Sequence, residues 1–399
     1  MKSFLNALLK KGSLFTFIGA KALTSLLPLI SIPLLINIVG YDYWVRIATI
    51  QVIAAFLSLF IESKWASLTQ AEINKNVSSN QLLTNVFIQK MLTYLALNLL
   101  IVFAWLSFAS QFKFELILFL SMQPILTAPF SNGWYWLIIS KPNQFLQFEV
   151  VPKLIAGVTS LVFLFHTRNL NTFFILLAIL QILSSKLGFR FVWGHLDMLI
   201  PFRAQMNFAV SRAFQSIYSL LTLPLVSLLS PLSTGMIAAN DRIYRFSMTA
   251  LIPFQQSYVS TVSTKKEGLY RFRKNLLIQV VLLSISIFGL SSDLMNNLLF
   301  EGKNTAGHVV YAYFVLGVFV ILNRGLISLY LVSRLGINEA SLPNTQYRSG
   351  LLVLMLIVPM NHFFGYMGIL ITFVLAEALV SIGYILVLRN SEESWRENE

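Results

Sequence analysis

Asp241, Arg242 and Arg245 fall inside one apolar stretch, GMIAANDRIYRFSMTALIPF, at spacings that place them along one face of a helix. Asp241 and Arg245, four residues apart, can pair on that face, and Arg242 can share it at three. For Arg242 the sequence then calls for water, an acid from another helix such as Glu149 or Glu377, or an anionic ligand. Guanidinium suits phosphate, because its planar fork offers donors to two oxygens at once. Lys21, Arg46, Lys90, Lys153, Arg212 and Arg324 also interrupt apolar runs, which makes eight basic residues in such runs. Only Glu149, Asp241 and Glu377 are acids in the same setting. Intramembrane acids can carry protons or sodium in coupled transporters, and Glu149 can equally pair with Lys153 four residues on. An excess of eight to three suits an anionic substrate better than a cationic drug.

Other chemistries find no residues here. The chain has no cysteine, which excludes disulfides, thiolate catalysis and cysteine metal sites. Its four histidines, at 166, 195, 308 and 362, show no ligand spacing. No glycine-rich loop ending in Gly-Lys-Ser/Thr appears, so an internal ATPase motor is not expected. The reading is of a protein without catalytic residues, metal or cofactor.

The elements that must position these charges are membrane helices. Of the 399 residues 56% are hydrophobic and 11% charged, with a mean hydropathy of +0.73. A soluble domain carries about a quarter charged residues. Apolar runs near twenty residues long, enough to cross ~30 Å of hydrocarbon at ~1.5 Å per residue, occur at about 14–38, 43–63, 83–107, 115–139, 146–166, 172–193, 205–229, 233–258, 275–298, 308–332, 348–364 and 366–388. These predict an all-α integral membrane protein of about 12 spans. Of the 29 Lys and Arg, 18 fall in alternate segments that share a side with the N-terminus, against Lys113, Arg168 and Lys303 opposite. The positive side is cytoplasmic, so both termini are predicted inside. The net charge of +13 follows from this asymmetry, and no nucleic-acid partner is implied.

The basic start MKSFLNALLKKGSLF leads into a run without a small-residue cleavage site, and reads as a retained first helix. Predicted loops are too short for a soluble catalytic domain, the longest external one running between Leu298 and His308. Lys21-Ala22 is followed after twelve residues by Pro33-Leu34, and Arg212-Ala213 by Pro224-Leu225 at the same interval. Both segments open a predicted six-helix half, which points to duplicated lobes at 1–200 and 201–399 with a substrate site between them.

Burying eight cations at helix centres facing lipid would cost roughly 20–28 kcal/mol on insertion scales. Arg46, near an external helix end, can snorkel to headgroups. Lys21, Lys90, Lys153, Arg212 and Arg324 each stand about seven or eight residues from a cytoplasmic end, ~10–12 Å deep. With Arg242 and Arg245 they predict a shared cationic cavity opening inward.

Three segments carry a resemblance: GSLFTFIGAKALTSLLPLISIPLL, GWYWLIISKPNQFLQFEVVPKLIAG and STGMIAANDRIYRFSMTALIPFQQSYVSTVS. Over nearly its whole length the chain resembles the polysaccharide-export flippases, the Wzx-type O-antigen translocases of the MOP (MATE-like) superfamily. That resemblance implies two six-helix bundles around a basic cavity in the bacterial inner membrane. It implies translocation of undecaprenyl-pyrophosphate-linked oligosaccharide from the cytoplasmic to the outer leaflet, with membrane lipids and other polysaccharide-assembly proteins as partners. Lys21, Arg212, Arg242, Arg245 and Arg324 would be its cavity cations. Two other readings stay open: an ion-coupled multidrug exporter of the same superfamily, using Asp241, Glu149 or Glu377, and a membrane polysaccharide polymerase or glycosyltransferase.

Overall fold

A computed structural model describes residues 26–62, 79–108, 122–131, 135, 145–186, 206, 209–210, 213–214, 216–217, 220–261, 265–302, 306–333 and 341–396. The described residues form helices and turns with no strand. In chain order the helices are α1 (Leu26–Val39), α2 (Tyr41–Ile61), α3 (Ser79–Phe108), α4 (Gln123–Thr127), α5 (Val151–Thr167) and α6 (Leu170–Lys186). They continue as α7 (Thr222–Leu229), α8 (Thr234–Thr261), α9 (Lys265–Leu290), α10 (Asp293–Phe300), α11 (Gly307–Ser333), α12 (Ser341–Phe364) and α13 (Tyr366–Arg396). Among the described residues six helical stretches are long and apolar enough to cross a membrane: Tyr41–Ile61, Gln81–Ile101, Leu146–Thr167, Arg273–Leu290, Gly307–Leu326 and Tyr366–Leu386.

The outward faces carry what a bilayer dissolves. Leu99, Phe103, Ile285 and Met355 stand largely exposed, while Asn85, Gln89, Thr93, Ser160, Asn240, Ser247 and Thr372 are buried. Water would favour the reverse distribution, whereas hydrocarbon leaves polar groups only the protein interior. Buried hydroxyls bond back to their own helices, as Thr93 does to the Gln89 carbonyl at 2.9 Å and Ser160 to that of Ala156 at 2.7 Å. Ser247 of α8 and Ser286 of α9 bond across helices at 2.7 Å. This is a multi-pass membrane protein.

The chain divides into two compact units, Met1–Ser216 and Ile217–Glu399. In the first, α2 packs against α3 and α4, and α6 against α5 and α4. Ala54 and Ile61 meet Ile125 and Ala128 in a buried cluster. In the second, α13 packs against α11 and α12, α9 and α11 flank α8, and α7 lies against α8 and α13.

Glycines close two of the helix pairs. Gly40, at φ +80° and ψ +160°, is the single residue between α1 and α2, and Gly365, at φ +58°, is the single residue between α12 and α13. Only glycine occupies the first conformation without strain, and the second favours it.

Three of the predicted spans are interrupted. The run expected at 115–139 is helical from Gln123 to Thr127, tightens to a 3-10 turn over Ala128–Phe130 and becomes extended at Ser131. Pro129 withholds a backbone donor there. The run expected at 205–229 breaks at Leu221, ahead of Pro224. The run expected at 275–298 stops at Leu290, and α10 starts afresh behind Ser292, whose backbone is extended and whose hydroxyl bonds the Gly289 carbonyl at 2.7 Å. The connection there is consequently longer than the Leu298–His308 loop expected, and it contains a helix.

Candidate functional site

The first unit holds its acid beside a proline. Pro152 has no N–H for the carbonyl four residues back, and the chain widens into a π-helical turn over Leu146–Val150 before α5. Glu149 lies buried in that wider turn. Its carboxylate accepts from Lys153, which the spacing predicted, and from the Ser131 hydroxyl at 3.0 Å. The Ser131 carbonyl, at the irregular end of the α4 region, accepts from Lys90 Nζ at 2.6 Å. Lys90, on α3, is 1% exposed. The result is a chain of polar contacts from Lys90 through Ser131 and Glu149 to Lys153, each link helping to offset the burial of the next.

The second unit carries two such groups. On α8, Asp241 is fully buried and receives the Arg245 guanidinium through two bonds, Nε to Oδ2 at 2.5 Å and Nη2 to Oδ1 at 3.2 Å. Arg245 Nη2 also donates to the Leu220 carbonyl at 2.8 Å. Arg242 is half-buried on the same helix. Tyr244 and Tyr313, both buried, pack with ring centroids 5.2 Å apart.

Glu377 on α13 anchors the other group. Its carboxylate accepts from the Asn323 side-chain amide, which also donates to the Glu377 carbonyl at 2.9 Å. Ser381 closes the cluster, donating to Asn323 Oδ1 at 2.6 Å and lying 3.0 Å from the Glu377 carbonyl oxygen. Arg324, the residue after Asn323, is half-buried on α11.

Set against the sequence expectation of seven clustered cations, Lys90, Lys153 and Arg245 each have a protein acceptor. Arg242 and Arg324 are half-buried on neighbouring helices α8 and α11 of one unit. Lys21 and Arg212 lie outside the described residues. Arg46 is exposed, as snorkelling requires. Sequence reasoning missed Ser131, Asn323, Ser381 and the Leu220 carbonyl. Ser381 stands four residues after Glu377, the interval that found both ion pairs, and Asn323 directly precedes Arg324.

The sequence matches no protein-family model and no curated protein. Its fold is nonetheless shared. An outward-facing multidrug resistance MATE family transporter of the MOP superfamily superposes with a TM-score of 0.62 at 10% identity, over 97% of this chain and 97% of that one. The MATE multidrug transporter DinF-BH gives 0.60 at 15% identity over 96% and 94%. The eukaryotic MATE transporter AtDTX14 gives 0.59 at 12% identity over 96% and 96%. The chain has the fold of MATE transporters of the MOP superfamily over essentially its full length.

Proposed function

We propose that this protein is a transporter of the MOP superfamily that flips undecaprenyl-pyrophosphate-linked oligosaccharide, an O-antigen or similar surface-polysaccharide repeat unit, from the cytoplasmic to the outer leaflet of the bacterial inner membrane. It does so by alternating access, with about 12 spans, two six-helix lobes and both termini in the cytoplasm. The MATE-type fold supports transport, and the surplus of intramembrane cations supports the substrate class. All three intramembrane acids have nearby protein donors, Glu149 with Lys153, Asp241 with Arg245 and Glu377 with Asn323. Cations in the apolar runs outnumber acids eight to three, and Lys21, Arg212, Arg242 and Arg324 are the residues assigned to the pyrophosphate.

The physical logic is a division of the substrate. A polyprenyl tail of about fifty carbons, at ~0.8 kcal/mol per CH₂, stays in lipid while the headgroup crosses. Only pyrophosphate and sugars need a polar path. With an effective dielectric near 20, a cation ~4 Å from a phosphate charge gains ~4 kcal/mol, so a few arginines offset much of the dehydration cost.

A flippase-deficient bacterium expressing the chain tests this reading. Wild type restores O-antigen display, and Arg242→Ala or Arg212→Ala abolishes it while the protein still inserts in the membrane. Normal display in both variants removes the cationic-site assignment. The multidrug reading has the names of the similar structures in its favour, and it expects drug resistance on expression with loss of resistance in Asp241→Asn or Glu377→Gln.

A further inference from the structure

Backbone bonding around α7 assigns Arg245 a different task from ligand binding. Leu221 N–H donates to the Ile217 carbonyl at 2.8 Å, and Leu225 N–H donates to the Leu221 carbonyl at 2.9 Å. These two bonds bracket a rung that cannot form. That rung would join the Leu220 carbonyl to the N–H of residue 224, and residue 224 is proline, which has none. Arg245 Nη2 sits on that carbonyl at 2.8 Å. A carbonyl stripped of its partner inside a membrane protein has no water to turn to, so a donor from a neighbouring helix is the physical remedy.

We propose that Arg245 is a positioning residue, supplying from α8 the hydrogen bond that Pro224 removes and thereby fixing the bend at Leu221. Asp241 serves as its holder: two bonds from the guanidinium to a fully buried carboxylate leave the same Nη2 aimed at Leu220. Lysine could balance the charge but lacks the planar fork that meets both acceptors together. The far end of α7 is tied in a similar way, since Asn361 of α12 donates to the Leu229 carbonyl at 3.3 Å and accepts from Ser230 Oγ at 2.7 Å. Side chains from two different helices thus hold the carbonyls that bound this short element.

Pro224→Ala restores the missing N–H and makes the donor redundant, which turns the proposal into a double-mutant cycle on the full-length protein in detergent. Asp241→Asn with Arg245→Ala removes the pair without stranding a buried charge. The melting temperature should fall in the proline background, and by at most about half as much when Pro224→Ala is present. An equal fall in both backgrounds overturns the proposal. Should the variant fail to accumulate in the proline background, recovery of folded protein on adding Pro224→Ala is the expected result, and no recovery overturns it. Transport separates positioning from binding. Arg245→Ala with Asp241→Asn should regain O-antigen display when Pro224→Ala is added, whereas a ligand-binding cation would stay defective. The melting arm stands whatever the transported substrate is.

Discussion

The two units handle a buried carboxylate in different ways. In the first, Glu149 occupies a widened turn ahead of Pro152, and its partner Lys153 keeps 36% of its side chain exposed. In the second, Asp241 sits on a regular helix, wholly buried, clasped by a guanidinium that also reaches the backbone of α7. Lysine offers one movable ammonium and can keep part of its stem and head toward a more polar region. Arginine offers a rigid fork that binds an acid and a carbonyl together. The contrast teaches that an intramembrane cation serves local backbone as readily as it serves a substrate, and that proline is what creates the demand.

The sharpest way to break this comparison is to remove each cation alone. Arg245→Ala leaves Asp241 uncompensated in a fully buried position, and should cost about 3–5 kcal/mol, read as a marked loss of melting temperature in detergent. Lys153→Ala should cost less, because Glu149 keeps a second donor in the Ser131 hydroxyl and its cation is already 36% exposed. Equal losses would mean that the two acids sit in equivalent surroundings. Next in size is Lys90→Met, which strips the Ser131 carbonyl of its donor while filling similar volume. A loss of about 1–3 kcal/mol is expected, the range for an unsatisfied buried polar group. If Lys90→Met melts like wild type, the Ser131 contact contributes nothing to stability.

Much of this architecture could be read from the chain itself. The runs expected at 43–63, 233–258, 308–332 and 366–388 correspond to α2, α8, α11 and α13, because apolar length is the dominant requirement of a membrane helix. Both ion pairs were visible from i, i+4 spacing. The breaks at Ser131, Leu221 and Ser291 were not, since membrane helices often contain proline or serine without ending there. Nor were the backbone partners of Lys90 and Arg245 visible. Each is a backbone carbonyl, and a carbonyl leaves no mark in the residue alphabet, so only the packed fold shows which ones lack a donor. Asn323 escaped notice for a related reason: a neutral amide deep in an apolar helix resembles many others until Glu377 is seen against it.

The turns extend the comparison to backbone alone, with effects no larger than that of Lys90→Met. Gly40 in the first unit and Gly365 in the second each join two helices as a single residue with positive φ, yet their conformations differ in kind. Gly40, with ψ +160°, lies in a region that is essentially closed to residues with a Cβ, at a cost of order 1–3 kcal/mol. Gly365, with φ +58°, has the φ of a left-handed helical residue, where alanine pays about 1–2 kcal/mol and asparagine less. Among the described residues no atom beyond the adjacent residues and the local helix backbone lies within 4 Å of a Cβ built at either position, so backbone strain is the cost expected there. Asparagine should therefore be tolerated at 365 and should destabilise at 40, as read by melting of the two variants side by side. Equal melting of Gly40→Asn and Gly365→Asn would show that the α1–α2 turn can relax into the ordinary left-handed form, and would remove the distinction between the two connections.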